Sequence, residues 1–543
     1  MKVALHPVIE EILAKRGLSE ADRDDFLNPK YEKLHDPFLM KDMEKAVSRI
    51  EKAFSNEETI AVYSDYDADG IPAGVMLRKA LEVSGAKVFA FIPDRHVDGF
   101  GFHASSIAGL KEKGVGLIIT VDCGIANNEG VNAAEEAGID VIITDHHEAQ
   151  GELPKAHAIL NPMQPNCEYP FKGLCGAGVA FKLVQALQQK NILKLADGQE
   201  KWLLDLVAIA TVADMVPLTD ENRIFTHFGL RVLQKSRRKG LQALINSLRL
   251  RNITEDDIAF SIAPRINAAS RMGEARLAYD LLATEDEKEA VALARELEGV
   301  NNSRKGVVAS IVKEANGRII EEGLTERTVL VLGSTHWRPS LLGLVATNLV
   351  EKYGVPVFLW GEDGSGEIRG SCRGNGIISV HDLMQETKDS FMQFGGHKQA
   401  GGFMVVKEQI HHLADALVSA KEKLVHKDKG ETELADAVVS LTDINNHFLK
   451  SLFSLRPFGL ANERPLFHFP KTWTEETKMF GKTMEHLEII FSQGQKRARA
   501  IKFFAGDMKK QADLGTHLDI LGNIEEDPFK GRDAWRVRIV DII

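Results

Sequence analysis

Three short apolar runs in this chain each end in acid. TIAVYS (Thr59–Ser64) leads into Asp65-Tyr-Asp67-Ala-Asp69-Gly70, LIITV (117–121) into Asp122-Cys-Gly124, and VIIT (141–144) into Asp145-His146-His147. A further strand-like run, KVFAFIP (87–93), and a helical stretch at 71–84 lie among them. Apolar runs alternating with helical stretches specify an α/β layer with a largely parallel sheet. Ligands of such sheets bind outside the carboxyl ends of the strands, so all three clusters are expected on one rim. Asp214, inside the apolar run IATVADMVPL (209–218), reads as a fourth contributor. Taken alone, it has an ordinary reading as a helix cap or a paired core group.

Carboxylates packed this closely repel one another and protonate unless a cation stands between them. Oxygen-rich ligands with one or two imidazoles suit Mn²⁺ or Mg²⁺ better than a thiolate-loving metal. Two such ions, about 3.5–4 Å apart, clamp a nucleophilic water and a phosphoryl oxygen in phosphodiester cleavage.

The remaining sequence sets the frame. At roughly 150 residues per domain, 543 residues allow about three or four domains. With 44% hydrophobic and 27% charged residues, disordered and fibrous classes are excluded. The net charge of −11 argues against wrapping nucleic acid with the whole surface, but leaves room for a local basic channel. Cys123, Cys167, Cys175 and Cys372 are too scattered for a disulfide scaffold or a CxxC zinc site, which suits a reduced, cytoplasmic setting. Glu10 and Glu11 stand where a signal peptide needs an apolar run. No membrane span of about 18 apolar residues is expected.

Residues 1–45 read as a helical lead-in, and 201–216 as a buried helix. The stretch 286–322 has helical periodicity and heavy surface charge, as of a long helix linking two lobes. Strands resume at 328–332 and 355–360 in a second, smaller α/β unit, followed by an amphipathic helix (409–425) and a charged break, HKDKGETE (426–433). From about 465, short alternating segments suit a small barrel of OB type.

DYDADG, VDCG, DHH and VADMVPL, in this order and spacing, resemble the four motifs of the DHH phosphoesterase superfamily. GSCRG (370–374) and FGGHKQAGGF (394–403) resemble its companion DHHA1 domain. APRINAASRMG (263–273) and the β-rich C-terminal part narrow the resemblance to the RecJ branch, single-strand-specific 5′→3′ DNA exonucleases. The resemblance implies two α/β lobes, DHH and DHHA1, joined by a helical linker, plus a C-terminal OB-type barrel. It implies a DHH domain over 46–225, a helical connection over 226–322, DHHA1 over 323–425 and the OB-like domain over 426–543.

Residue by residue, Asp67, Asp69, Asp122, His146 and Asp214 resemble the family's metal ligands. Asp65 stands where a related branch carries a ligating His, so it either binds metal or orients a ligand. His147 is implied to face the scissile phosphate, and Asp145 to fix an imidazole tautomer behind it.

GSCRG has its own logic: glycines admit an anion close to the backbone, Ser371 offers a hydroxyl and Arg373 a fork for phosphate oxygens. His397 and Lys398 add to this in a second Gly-rich turn; the ordinary alternative for both segments is tight-turn geometry. Arg265, Asn267 and Arg271 are candidates for phosphate or base contacts, or simply for a helix cap and surface salt bridges. Ser270 and Gly374 depart from the family pattern, which often has Gly at the former and Ser at the latter. Lys496, Arg497, Arg499 and Lys502, beside Phe503 and Phe504, fit single-strand stacking on a barrel as well as they fit a solvated strand face. The basic run 235–239 reads as solvent-facing.

The expectation is a two-metal exonuclease acting on single-stranded DNA, monomeric, with a helicase and a single-strand-binding protein as partners implied by resemblance. Its rivals are a hydrolase of short oligonucleotides or cyclic dinucleotides, disfavoured by the extra barrel, and a degenerate scaffold that only binds DNA, disfavoured by the full acidic set.

Overall fold

The computed structural model describes residues 4–94, 99–149, 151–362, 366–424, 435–481, 484–506, 508, 512, 515–527, 530–531 and 534–543. The charged break at 426–433 therefore lies outside the described residues. Two compact units emerge, one within His35–Val216 and Phe228–Lys429, the other within Met1–Leu34, Pro217–His227 and Gly430–Ile543. Among the described residues no helix is long and apolar enough to cross a membrane.

The larger unit holds two sheets. The first comprises β1 (Thr59–Ser64), β2 (Lys87–Phe91), β3 (Val115–Val121), β4 (Asp140–Thr144) and β5 (Ala158–Leu160), all parallel, in the order β2-β1-β3-β4-β5. From β1 the chain reaches β2 on one side and β3 on the other. The carboxyl ends of β1 and β3 therefore flank the point where strand order reverses, the usual place for a ligand. Ile60, Val62, Leu117 and Ile119 are wholly buried, which pins the register and with it the positions of the acids that follow. The short β5 had no sequence signal, because three residues make no apolar run.

The stretch 201–216 is not one helix. A 3₁₀ turn (Gln199–Leu203) precedes a helix over Leu204–Ala213, and Asp214 caps its C-terminus. Pro217 and a left-handed Met215 (φ 57°) explain the early stop. The charged stretch from 286 is one helix, Glu287–Glu321, whose N-terminus is capped by the Asp286 carboxylate accepting from Glu289 N.

The second sheet comprises β6 (Leu330–Ser334), β7 (Val357–Glu362), β8 (Ile368–Arg373), β9 (Phe391–Gly396) and β10 (Ala400–Val405), in the order β6-β7-β8-β10-β9. β6 and β7 are parallel around the Pro339–Tyr353 helix; the rest is antiparallel. GSCRG and much of FGGHKQAGGF thus belong to strands rather than to turns. Two of their glycines serve close packing: a Cβ on Gly370 would stand 2.2 Å from the Phe403 ring, and one on Gly401 2.6 Å from the Met384 side chain.

In the smaller unit β11 (Ala437–Val438), β12 (Leu466–Phe480), β13 (His486–Gln493), β14 (Lys496–Lys502), β15 (His517–Glu526) and β16 (Trp535–Ile542) form one sheet, and pairing of β12 with β15 closes five of them into a barrel. Ile9, Ile12 and Leu13 of the Pro7–Lys15 helix are buried in the same core as Phe448, Phe467 and Ile489. Arg16 donates to Asn462 Oδ1 and to the Glu463 carbonyl. Arg223 lies over the Phe26 ring and donates to the carbonyls of Phe26 and Arg456.

Candidate metal centre

The β1 loop is built by its own hydrogen bonds. Asp67 Oδ1 accepts from Asp69 N and Gly70 N, turning the chain into the Gly70–Val83 helix. Ser64 Oγ donates to the Gly70 carbonyl, and a Cβ on Gly70 would meet the Asp65 carbonyl oxygen at 2.6 Å, so only glycine fits there. Asp69 is buried and accepts from Gly176 N (2.6 Å) and Ala177 N (2.7 Å), the first turn of the Gly176–Gln189 helix. Free N–H groups and the helix dipole both favour a carboxylate there. Asp122, at the end of β3, holds a left-handed φ of 62°, a strained conformation for Asp that re-aims its side chain. A Cβ on Gly176 would fall 2.5 Å from that side chain.

His146 lies at the centre. Its Nε2 is 3.2 Å from Asp122 Oδ1, 3.6 Å from Asp214 Oδ2 and 3.8 Å from Asp69 Oδ2. His146 Nε2 and Asp122 Oδ1 are both buried and make no hydrogen bond. A buried nitrogen facing three carboxylates without bonding any of them is what metal ligands look like. Ligand atoms of Asp69, His146 and Asp214 lie within 4.8 Å of one another, as do those of Asp65, Asp67 and Asp122. Asp122 also groups with His146 and His147, so it stands between the two sets. The hard oxygens, joined by the His146 imidazole, fit Mn²⁺ or Mg²⁺.

The electrostatics agree. Burial and the neighbouring Asp67 push Asp69 up to about 7. Burial, Asp69 and Asp67 push Asp214 up to about 8. Burial and the neighbouring aspartates raise Asp122 well above its ordinary value. Asp214 is also at the negative end of a helix, where a carboxylate is disfavoured. Burial and the cation on His147 pull His146 down to about 4, leaving a neutral imidazole able to bind metal.

His147 is different. Burial would lower it, but the hydrogen bond and charge of Asp145 outweigh that and hold it up at about 9. Its Nδ1 is 2.7 Å from Asp145 Oδ1, and its side chain is 44% exposed. Asp145 is buried, but hydrogen bonds from the His147 ring and from the backbone N–H of Ile125, His146 and His147 keep it below the usual carboxylate range.

Other expected site residues are more dispersed. Arg265 is paired with Glu298 and donates to the Ser261 carbonyl. Asn267 Oδ1 accepts from Ala68 N, between Asp67 and Asp69. Arg271 donates to the Ser340 carbonyl. Ser270 is buried and crowds no open surface. Arg373 donates to Ser371 Oγ and the Cys372 carbonyl, and makes no ion pair among the described residues. Neither it nor Ser371 bonds to the acidic cluster. His397 is exposed in the β9–β10 turn, where its N–H bonds the Ala400 carbonyl. In the barrel, Arg497 and Arg499 are paired with Glu475, Glu488 and Asp527, while Phe503 and Phe504 edge against His486 at the surface. Arg237 stacks on Trp202 and Arg238 pairs with Asp205, so part of the 235–239 run is internally partnered.

Sequence reasoning missed two features. Phe100, 51% exposed, meets the His147 ring edge-on at 5.4 Å and offers an aromatic face beside the centre. Its signal was the GFG triplet, whose glycines both hold positive φ. The amides of Gly176 and Ala177 were signalled by CGAG before an apolar helix.

Convergent carboxylates and imidazole at the switch point of a parallel sheet, with a second α/β lobe, define a DHH-type phosphoesterase. Family comparison agrees: residues 59–211 match the DHH family N-terminal domain, 326–423 the DHHA1 domain and 435–541 the RecJ OB domain. The single-stranded-DNA-specific exonuclease RecJ of Bacillus subtilis (strain 168) is 35% identical over 540 residues, covering 98% of this chain and 68% of the relative. The crystal structure of RecJ in complex with Mn²⁺ from Thermus thermophilus superposes with a TM-score of 0.83 at 28% identity, covering 99% of this chain and 76% of that one. The Mg²⁺ complex from the same organism gives 0.76 at 27% identity, covering 99% and 74%. The chain belongs to the RecJ family.

Proposed function

We propose that this chain hydrolyses single-stranded DNA from the 5′ end, releasing 5′-mononucleotides, as a metal-dependent exonuclease of DNA repair and recombination. The observation that carries the reading is Asp122 standing between two ligand sets, Asp65/Asp67 on one side and Asp69/His146/Asp214 on the other. Divalent cations bound there would supply an activated water and neutralise the phosphodiester. Asp65, Asp67, Asp69, Asp122, His146 and Asp214 are the proposed ligands.

His147 is the proposed catalytic cation. Asp145 takes its Nδ1 and holds it protonated, which leaves the other ring nitrogen for a phosphoryl oxygen. Charge that develops in the transition state meets an already oriented donor. Arg373 is half-buried and has no acidic partner among the described residues, the state of a guanidinium awaiting phosphate. With Ser371 and His397 it is the proposed grip on the substrate backbone. Arg265 and Arg271, engaged with protein groups, are assigned to shaping the site.

The domain division at 46–225, 226–322, 323–425 and 426–543 is retained as the functional division, with the barrel as the nucleic-acid-binding part. A monomer in the cytoplasm, served by a helicase and a single-strand-binding protein, completes the reading; the family resemblance supports the two partners, and the scattered cysteines suit the compartment.

The test is digestion of 5′- and 3′-labelled single strands, a matching duplex and a dinucleotide, with and without Mn²⁺. Mononucleotide is expected from the 5′ label first, only with metal, and slowly from duplex. Equal release from both ends, or faster turnover of the dinucleotide than of long DNA, overturns the reading.

A further inference from the structure

The helix Ala263–Met272 is fastened at two points. Asn267 Oδ1 accepts the amide of Ala68 at 3.0 Å. One turn later Arg271 Nη1 donates to the Ser340 carbonyl (2.6 Å), and Ser340 Oγ returns a bond to the Arg271 carbonyl (3.0 Å). Ser340 lies in the first turn of the helix Pro339–Tyr353 of the second lobe. Ile266, Ala268, Ala269 and Ser270 are buried, so the helix cannot slide between these attachments. A π-helical turn, Ile258–Ile262, leads directly into it, a local widening often kept at functional places.

Ala68 is the residue between Asp67 and Asp69. Asp67 spends Oδ1 on Asp69 N and Gly70 N, and Asp69 is held by Gly176 and Ala177. The amide of Ala68 is held by Asn267 instead, from a segment almost two hundred residues downstream. Without that acceptor the Asp67–Ala68 peptide is held only from its carbonyl side, by the Ile71 N–H at 2.9 Å, and the separation of the two carboxylates is set less tightly.

We infer that Asn267 is a positioning residue for the Asp67–Ala68–Asp69 loop, acting on cation binding rather than on the nucleotide. Helix Ala263–Met272, clasped to Ser340, thereby ties the geometry of the cation site to the second lobe. This rests on the reading that Asp67 and Asp69 hold divalent cations.

The experiment is calorimetric titration of the metal-free full chain with MnCl₂, alongside KM for 5′-phosphorylated single-stranded DNA at saturating Mn²⁺. Asn267→Ala should weaken Mn²⁺ binding about tenfold and leave KM within about twofold. Asn267→Asp keeps an oxygen acceptor at the same reach, so it should bind Mn²⁺ at least as well as wild type. Unchanged Mn²⁺ affinity with a raised KM in Asn267→Ala overturns the inference and makes the residue a substrate contact. If Asn267→Ala does not fold, Asn267→Asp decides: a loss of Mn²⁺ binding of about tenfold or more relative to wild type there overturns it too. Asp67→Ala separates the two readings, because normal Mn²⁺ binding in that variant removes the cation site itself.

Discussion

At the scale of single residues, His146 and His147 are adjacent in sequence yet opposite in state. One is a neutral ring facing three carboxylates and the other a cation fixed by Asp145. His147→Ala should therefore lower kcat by about 10²–10³ while Mn²⁺ titration of the variant stays near wild type. His146→Ala should lose most Mn²⁺ binding. Protons compete with the cation at this site. Asp69 and Asp214 titrate near 7 and 8 in the folded chain against 3.8 as the ordinary value. The unfolded chain releases these protons first, so the metal-free protein loses stability as pH rises from about 4 to 8. Mn²⁺ should then raise the melting temperature more at pH 8 than at pH 6; an equal rise at both fails the prediction. The acids from Asp65 to Asp69, Asp122 and Asp145 were legible in sequence because each group follows an apolar strand, whereas Asp214 ends a helix. Asn267 was legible as important but not for its partner, since nothing local links it to Ala68. Phe100 was missed because one aromatic between glycines carries no period.

At the scale of elements, two helix ends do opposite things. The N-terminus of Gly176–Gln189 steadies Asp69, while the C-terminus of Leu204–Ala213 burdens Asp214. Gly176→Ala places a methyl 2.5 Å from the Asp122 side chain. It should lower stability in urea by about 1–3 kcal/mol and weaken Mn²⁺ binding together. The order of elements in both lobes was readable from the change between strand and helix patterns. The break at Asp214 was not, because the apolar run continues past the true helix end. The glycine-rich strands β8 and β10 were also hidden, since glycine ordinarily marks turns and only distant neighbours, Phe403 against Gly370 and Met384 against Gly401, explain its use here.

At the scale of the whole molecule, the β-barrel was evident from its alternating segments, but its core was not. Ile9, Ile12 and Leu13 are wholly buried with barrel residues. A helical lead-in gives no sign in its own sequence of which distant hydrophobic face it covers. Ile12→Ala should cost that unit about 2–5 kcal/mol, seen as an earlier melting transition, with Mn²⁺ affinity of the larger unit unchanged.

The seating of Ile9, Ile12 and Leu13 among residues from the 437–542 stretch also orders events on the ribosome. At roughly 5–20 residues per second, the first greasy turns emerge about half a minute to a minute and a half before their berth is translated. Until then they are a sticky flag on the nascent polypeptide, and a chaperone has that long to hold it.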